Sequence, residues 1–332
     1  MKLFKKILIT SLLLLLICSC VSKKTKRIIR VAHNQANVHP TNLGFLAFEE
    51  YIESKLGDKY DVKVYPSELL GSQNHMVQLT QTGAIDICVA SNALLESFEK
   101  NYEIFNLPYL FKNAMHYHAS MNDPLITADL FEATKKSGFK TVTWFDAGTR
   151  SFYTVKKPIH SPDDLTGLKI RVQQSPTTIR MMELLGASAT PLGFGEVYTA
   201  LQAGIIDGAE NNELALRDNG HGDIAKYYSY DMHQMVPDIV IANAAFLDNL
   251  SEKEAAIFKE GFEIAKKVQN EEWNKAVLDS KDKALNSQGV EFIEIDQTPF
   301  QNAVLPLHQE VLDKNPEIKD MYERIIAKAK EY

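Results

Sequence analysis

Two stretches far apart in this chain carry the same punctuation. Leu70-Gly71 is followed by Gln81-Thr-Gly-Ala-Ile-Asp86, and Leu192-Gly193 is followed, at nearly the same spacing, by Gln202-Ala-Gly-Ile-Ile-Asp207. Each reads as a strand, a turn, a helix that runs out near the glutamine, a glycine C-cap and a short buried strand ending in a carboxylate. The upstream strands are visible too: Asp61-Val-Lys-Val-Tyr65 alternates, and Ala187 to Thr190 runs into a proline. Glycine at a helix end is common, so coincidence is the alternative. One such βαβ unit per half is what a duplicated, two-lobed α/β binding protein predicts. At 332 residues the chain is also longer than one core usually holds.

The C-terminal third adds a second constraint. Ser251-Glu-Lys-Glu254 is a capping box. Ala255, Phe258, Phe262, Ala265, Val268, Trp273 and Val277 then recur at helical spacing. The pattern predicts one helix to about Asn286, about 50 Å long at 1.5 Å per residue and long enough to lie across two lobes. Gly261 reads as a weak spot within it.

Chemistry concentrates on two arginines in strand-like frames: Arg150 in Trp144-Phe-Asp-Ala-Gly-Thr-Arg-Ser-Phe-Tyr153 and Arg171 in Gly167-Leu-Lys-Ile-Arg-Val172. A permanently charged guanidinium among alternating apolar residues demands an anionic partner. For Arg171 the alternatives are an internal salt bridge and an anionic ligand. For Arg150 the internal alternative is a clamp to Asp146 or Glu210. A carboxylate in a poorly hydrated cleft calls for a planar, two-pronged donor, which arginine supplies and lysine does not. Further on comes Pro191-Leu-Gly-Phe-Gly-Glu-Val-Tyr-Thr-Ala-Leu-Gln-Ala-Gly-Ile-Ile-Asp-Gly-Ala-Glu-Asn-Asn212.

That run, with two arginines at this spacing, resembles the substrate-binding proteins of TRAP transporters, the DctP-like family. The likeness extends from about Val31 to the last helix. It implies an α/β, two-lobed periplasmic binding protein fold (type II-like) with a long helix spanning both lobes. Lobe one would hold 28–147 plus 237–276, and lobe two 148–236 plus 277–332. The family's anchoring arginine falls on Arg171, which would grip the carboxylate of a small organic acid. Arg150 would approach the same carboxylate or a neighbouring hydroxyl. Asn211, next to Glu210, would complete the carboxylate's hydrogen bonds, with Asn212 competing for that role. Phe194 would lay its ring on the ligand, and the flanking Gly193 and Gly195 would let backbone approach closely.

Strand ends are where open α/β sheets bind ligands. His33 and Asn34 close the first strand, Ser91 and Asn92 follow the Cys88 strand, and Gln73 or Asn74 opens a helix. All are candidates to read hydroxyls, each with a cap or turn role as the plain alternative. Gln173 shares the strand face of Arg171 and joins the candidates.

Among the family's ligands the motifs look most like those of members that bind hexuronates such as glucuronate and galacturonate. Those members continue Asn-Asn-Trp-Pro-Ser, whereas this chain has Asn-Asn-Glu213-Leu-Ala. Sialic acid stands second, although the family's sialate binders carry a glutamate where this chain has Ser91. C4-dicarboxylate stands third, because a second carboxylate calls for another cation that lobe one does not offer. The resemblance implies ligand capture by lobe closure, delivery to a membrane permease of a TRAP transporter, no enzymatic step and no cofactor. Readings from other classes are a ligand-presenting protein for a sensory receptor, and a periplasmic hydrolase drawing on Glu196, Asp207, Glu210 and Glu213 as paired carboxylates.

The N-terminus reads as an export signal. Lys2, Lys5 and Lys6 precede an apolar Ile7–Ile17, which ends in Ile17-Cys18-Ser19-Cys20. That box predicts a lipoprotein signal peptide over 1–19, acylation of Cys20, and a lipid-anchored tether over 20–27. The protein would then sit in the periplasm or at the cell surface, touching membrane through its anchor only. Losing three lysines takes the net charge from −7 to −10, which argues against nucleic acid as a partner. Cys88 is left alone as a core thiol. His116-Tyr-His118 lacks a third ligand at metal spacing and reads as a helix surface.

Overall fold

The computed structural model describes residues 25–332. The expected signal peptide, Cys20 and most of the 20–27 tether lie outside the described residues. Two sheets organise the chain. The first has five strands: β1 (Arg27–Ala32), β2 (Tyr60–Tyr65), β3 (Ile87–Ser91), β4 (Phe139–Phe145) and β10 (Asp238–Asn243), in the order β2-β1-β3-β10-β4. The second has six: β5 (Arg150–Thr154), β6 (Lys169–Val172), β7 (Ser188–Pro191), β8 (Gly208–Asn211), β9 (Tyr227–Gln234) and β11 (Glu291–Glu294), in the order β11-β9-β5-β8-β6-β7.

The repeated punctuation corresponds to a repeated build. β2-β1-β3 and β7-β6-β8 are both parallel trios, and each is extended by an antiparallel strand, β10 beside β3 and β5 beside β8. These added strands are exchanged between lobes: β4 runs on into β5, and β9 into β10. The helix Gln73–Thr82 ends on Gly83 at φ 78, where the absence of a side chain makes the left-handed cap cheap.

The two matching aspartates come just before their strands rather than at the strand ends. Asp86 accepts the backbone N–H of Arg30 at 2.9 Å, and Asp207 accepts that of Lys169 at 2.9 Å. Asp86 holds β1 at its fourth residue and Asp207 holds β6 at its first, and the pairing beyond each held amide is equivalent in both lobes. Counting four residues on from those held amides reaches Asn34 in one lobe and Gln173 in the other.

The long helix spans Glu252–Asn286, 35 residues, and both halves of its Ser251/Glu254 capping box form. Its Phe258, Phe262 and Ala265 join Phe45, Phe48 and Ile52 in the first lobe's core, while Ala284 packs with Tyr228 and Val290 in the second. Between them, polar Gln269 is buried, donating to the Asp146 carbonyl and accepting from the Asp146 amide. The helix thereby holds the β4–β5 crossing. Ala255 is exposed and Val268 half-buried. Gly261 is a packing contact rather than a weak spot, since a Cβ there would stand 3.0 Å from the Phe48 ring. Gly44, on the helix Pro40–Leu56, is tighter still.

Two further expectations change. His116 is buried, its Nδ1 accepting from the Lys112 amide and its Nε2 facing the Ile325 carbonyl, so only half of the His116/His118 pair lies on a surface. The helix supplying Ile325, Lys319–Lys328, packs on the helices Ala114–Met121 and Pro124–Ala133. The end of the 277–332 segment therefore docks on lobe one, with Lys328 paired to Asp123 at 2.7 Å. Cys88 is a buried free thiol. Among the described residues no helix is long and apolar enough to cross a membrane.

A side chain at Gly44 would place its Cβ 2.6 Å from the Ala265 carbonyl oxygen on the long helix. Gly44→Ala is therefore expected to destabilise by about 1–3 kcal/mol, read as a lower urea midpoint with an unchanged m value.

Candidate functional site

The strand ends of both sheets converge on a cavity of about 330 Å³ between the lobes. From lobe one it is lined by Asn34, Gln35, Ser72, Gln73, Asn74, Leu94 and Asp238. From lobe two come Arg150, Arg171, Gln173, Gln174, Phe194, Glu196, Asn211 and Asn212.

Arg171 projects from β6 and is 3 % exposed. Its Nε and Nη2 both donate to the Leu192 carbonyl, at 3.0 and 2.7 Å. Among the described residues no carboxylate lies within ion-pair distance of it. The Phe194 ring centroid sits 5.8 Å from its guanidinium carbon, a weak cation–π contact. Burial presses its pKa below the ordinary arginine value, partly offset by Glu210.

Arg150 is different, and here the internal alternative is realised. Its Nε is paired with Glu210 Oε2, its Nη2 donates to the Glu210 carbonyl at 2.8 Å, and its Nη1 donates to Asn211 Oδ1 at 2.9 Å. Behind it, Glu210 faces His233 Nε2 at 3.5 Å, and His233 Nδ1 meets Asp231 at 2.7 Å. Burial opposes ionising Glu210, but Arg150 and His233 outweigh it and hold the carboxyl well below its usual range. Burial likewise opposes charging His233, yet Asp231 and Glu210 lift it to about 9. Glu210 thus stands behind the cavity wall and neutralises Arg150; it does not face a ligand.

Asn211 Oδ1 accepts from both Arg150 and the Asn212 amide, and its Nδ2 makes no hydrogen bond among the described residues. Asn212 is spent on structure, donating to Ala147 and accepting from Leu214. Ser91 joins the lobes: its hydroxyl donates to Gln173 at 3.2 Å, and its amide to Gln73 at 3.4 Å. Asn34 Oδ1 is buried without a partner among the described residues.

Two candidates turn away from the cavity. The His33 ring is stacked 5.9 Å from Phe45 and bonded to Asn42, and burial lowers its pKa to about 4. Asn92 spends its amide on the Tyr102 carbonyl and Asn106. Strand alternation does not reveal that both sit on the core side.

Sequence reasoning missed Asp238, Gln35 and Ser72, and drew on Glu196 only for the hydrolase reading. Asp238 is 5 % exposed, and burial pushes it up to about 6 against the pull of Arg150 and Gln35. The available signal was a lone carboxylate opening the apolar run Ile239-Val-Ile-Ala242. Glu68 was missed as well. It stands with Ser67 in the left-handed region, at φ 57 and 55, and a Cβ on Gly195 would meet its Oε2 at 2.5 Å. The glycine is what lets the lobes approach there.

Residues 31–315 match the family described as bacterial extracellular solute-binding protein, family 7 (DctP). The chain belongs to that family. It is a TRAP-type solute-binding protein and not an enzyme. It is 64 % identical to a TRAP periplasmic solute-binding protein of Anaerococcus prevotii, solved with bound α/β-D-glucuronate, with a TM-score of 0.91 over 92 % of this chain and 99 % of that one. A Xanthobacter autotrophicus counterpart with bound β-D-galacturonate is 33 % identical, with a TM-score of 0.86 over 90 % and 99 %. An uncharacterised Salmonella typhimurium protein, YiiZ, is 39 % identical over 90 % of each chain. Family members of this kind are periplasmic.

The buried charges of this binding protein make two predictions. Glu210→Gln strands Arg150 in the interior and is expected to cost about 3–5 kcal/mol in urea unfolding. His233 titrates near 9 when folded against an ordinary 6.5, so its stabilisation is complete below 6.5 and lost as pH rises through 9. Melting temperature is expected to fall between about pH 6.5 and 9, and His233→Gln to flatten that segment.

Proposed function

We propose that this protein captures a hexuronate such as glucuronate or galacturonate and presents it to a TRAP membrane permease. One observation carries the reading: a buried arginine with no carboxylate within ion-pair distance among the described residues, facing a cavity whose polar lining is mainly side-chain amides, with Asp238 on the opposite lobe. Desolvating a guanidinium without an anion is costly, so the missing partner is the ligand's carboxylate. Arg171 offers the charge and Asn211 a free amide N–H beside it. Arg150 is charge-neutralised by Glu210 and acts as a hydrogen-bond donor. Phe194 offers a flat apolar face to the C–H side of a sugar ring. Asn34, Gln73, Asn74 and Gln173 supply donors and acceptors for hydroxyls. The relatives solved with glucuronate and galacturonate support the same substrate class.

The binding event is closure of 28–147 with 237–276 against 148–236 with 277–332, the last helix riding on lobe one. Ser91–Gln173 joins the two sides of the cleft. Export through 1–19, acylation at Cys20 and a tether over 20–27 would hold the protein at a membrane surface beside its permease.

Titration calorimetry and thermal shift against D-glucuronate, D-galacturonate, N-acetylneuraminate and succinate test the reading. At a hundred times its dissociation constant a bound uronate stabilises by about 2.7 kcal/mol. Arg171→Ala is expected to weaken uronate binding by several kcal/mol, having removed one partner of a buried charge pair. Unchanged affinity in that variant would sink the assignment.

A further inference from the structure

We infer that Asp238 is the selectivity gate of the cleft: it accepts hydrogen bonds from ligand hydroxyls and turns away acids that carry a second carboxylate. The inference rests on the hexuronate reading of the same site and goes on to name the residue that enforces it.

Charge balance is the first support. Among the described residues lining the cavity, the charged ones are Arg150, Arg171, Glu196 and Asp238. Arg150 is already matched by Glu210. Arg171 is then the one uncommitted cation, enough for one ligand carboxylate.

Position is the second. Asp238 opens β10 in lobe one, whereas Arg171 stands on β6 in lobe two, so the two groups face the ligand from opposite lobes. The repeat sharpens the contrast: two residues past the held amide, lobe two has Arg171 and lobe one has Ala32. Besides Asp238 the polar side chains of the lobe-one wall are Asn34, Gln35, Ser72, Gln73 and Asn74, none of them cationic. Asn34 Oδ1 is buried there without a partner among the described residues, a second acceptor awaiting a hydroxyl.

Chemistry is the third. A hydroxyl can donate to a carboxylate; another carboxylate cannot, and in a desolvated cleft the two like charges repel strongly. Specificity then comes from repulsion of the wrong ligand as much as from attraction to the right one. Burial raises the Asp238 carboxyl only to about 6, so it is ionised at neutral pH, when the gate must act.

The test is calorimetry at neutral pH with D-glucuronate and with its diacid, D-glucarate, on the protein, on Asp238→Asn and on Asp238→Ser, each checked by thermal melting. The unaltered protein is expected to prefer glucuronate by about 100-fold or more. Asp238→Asn is expected to weaken glucuronate about tenfold, equivalent to about 1.4 kcal/mol, and to bring glucarate within about tenfold of it. Asp238→Ser, which removes the charge and shortens the side chain, reads the same ratio should the asparagine variant fail to fold. A glucuronate-to-glucarate ratio unchanged by removing the charge overturns the gate, whatever happens to absolute affinity. Failure of the unaltered protein to bind any uronate sinks the hexuronate reading instead.

Discussion

A guanidinium held in a protein interior by a backbone carbonyl and an aromatic face, with no ion-pair partner among the described residues, is the constraint on which this structure turns. Leu192 gives Arg171 two hydrogen bonds but no charge. Its neighbour Arg150 shows what a structural arginine looks like in the same sheet: a carboxylate at its fork, with a histidine and an aspartate behind. The difference between the two converts a cluster of buried charge into a polarised site. Arg150 and its partners stiffen the wall, and Arg171 carries the positive potential that an acidic protein presents to an acidic solute. Net charge does not decide this, because a desolvated site answers to its nearest groups.

The repeat explains how such a site is placed. Asp86 and Asp207 lock corresponding strands at corresponding amides, so the strand ends of both lobes arrive at the cleft in the same register. The repeated build supplies the geometry, and the two lobes differ in chemistry. Asn34 and Gln173 remain a related pair on opposite walls, while Ala32 and Arg171 do not. Exchange of β5 and β10 between lobes puts the crossings directly behind the cavity, where Gln269 of the long helix grips Asp146 and a Gly148 Cβ would stand 2.9 Å from Trp273. The cavity lining and the crossings are therefore only a few residues apart, with Arg150 opening the strand that follows the first crossing.

Much of this was legible from local pattern. Capping box, glycine C-caps and helical spacing are short-range signals, and they located the 35-residue helix and the two βαβ units. Arg171 was legible because a charge inside an apolar strand is conspicuous. What escaped depends on partners distant in sequence. His116 is buried by a carbonyl 209 residues away, and the choice of Glu210 over Asp146 as the partner of Arg150 turns on a pairing across 60 residues. His33 and Asn92 stand at strand ends like true site residues, yet Phe45, Asn42 and Asn106 draw them inward. Asp238 opens an apolar strand, and the β9–β10 crossing is what brings it to the cleft.

The most direct measurement is a calorimetric comparison of D-glucuronate with D-glucuronamide, the same ring with its carboxylate replaced by a neutral amide. If Arg171 is held open for an anion, glucuronate binds and the amide loses about 2–5 kcal/mol, the range for breaking one side of a buried charge pair. Equal affinity for the two would contradict the account, because the cleft would then be reading the sugar without its charge.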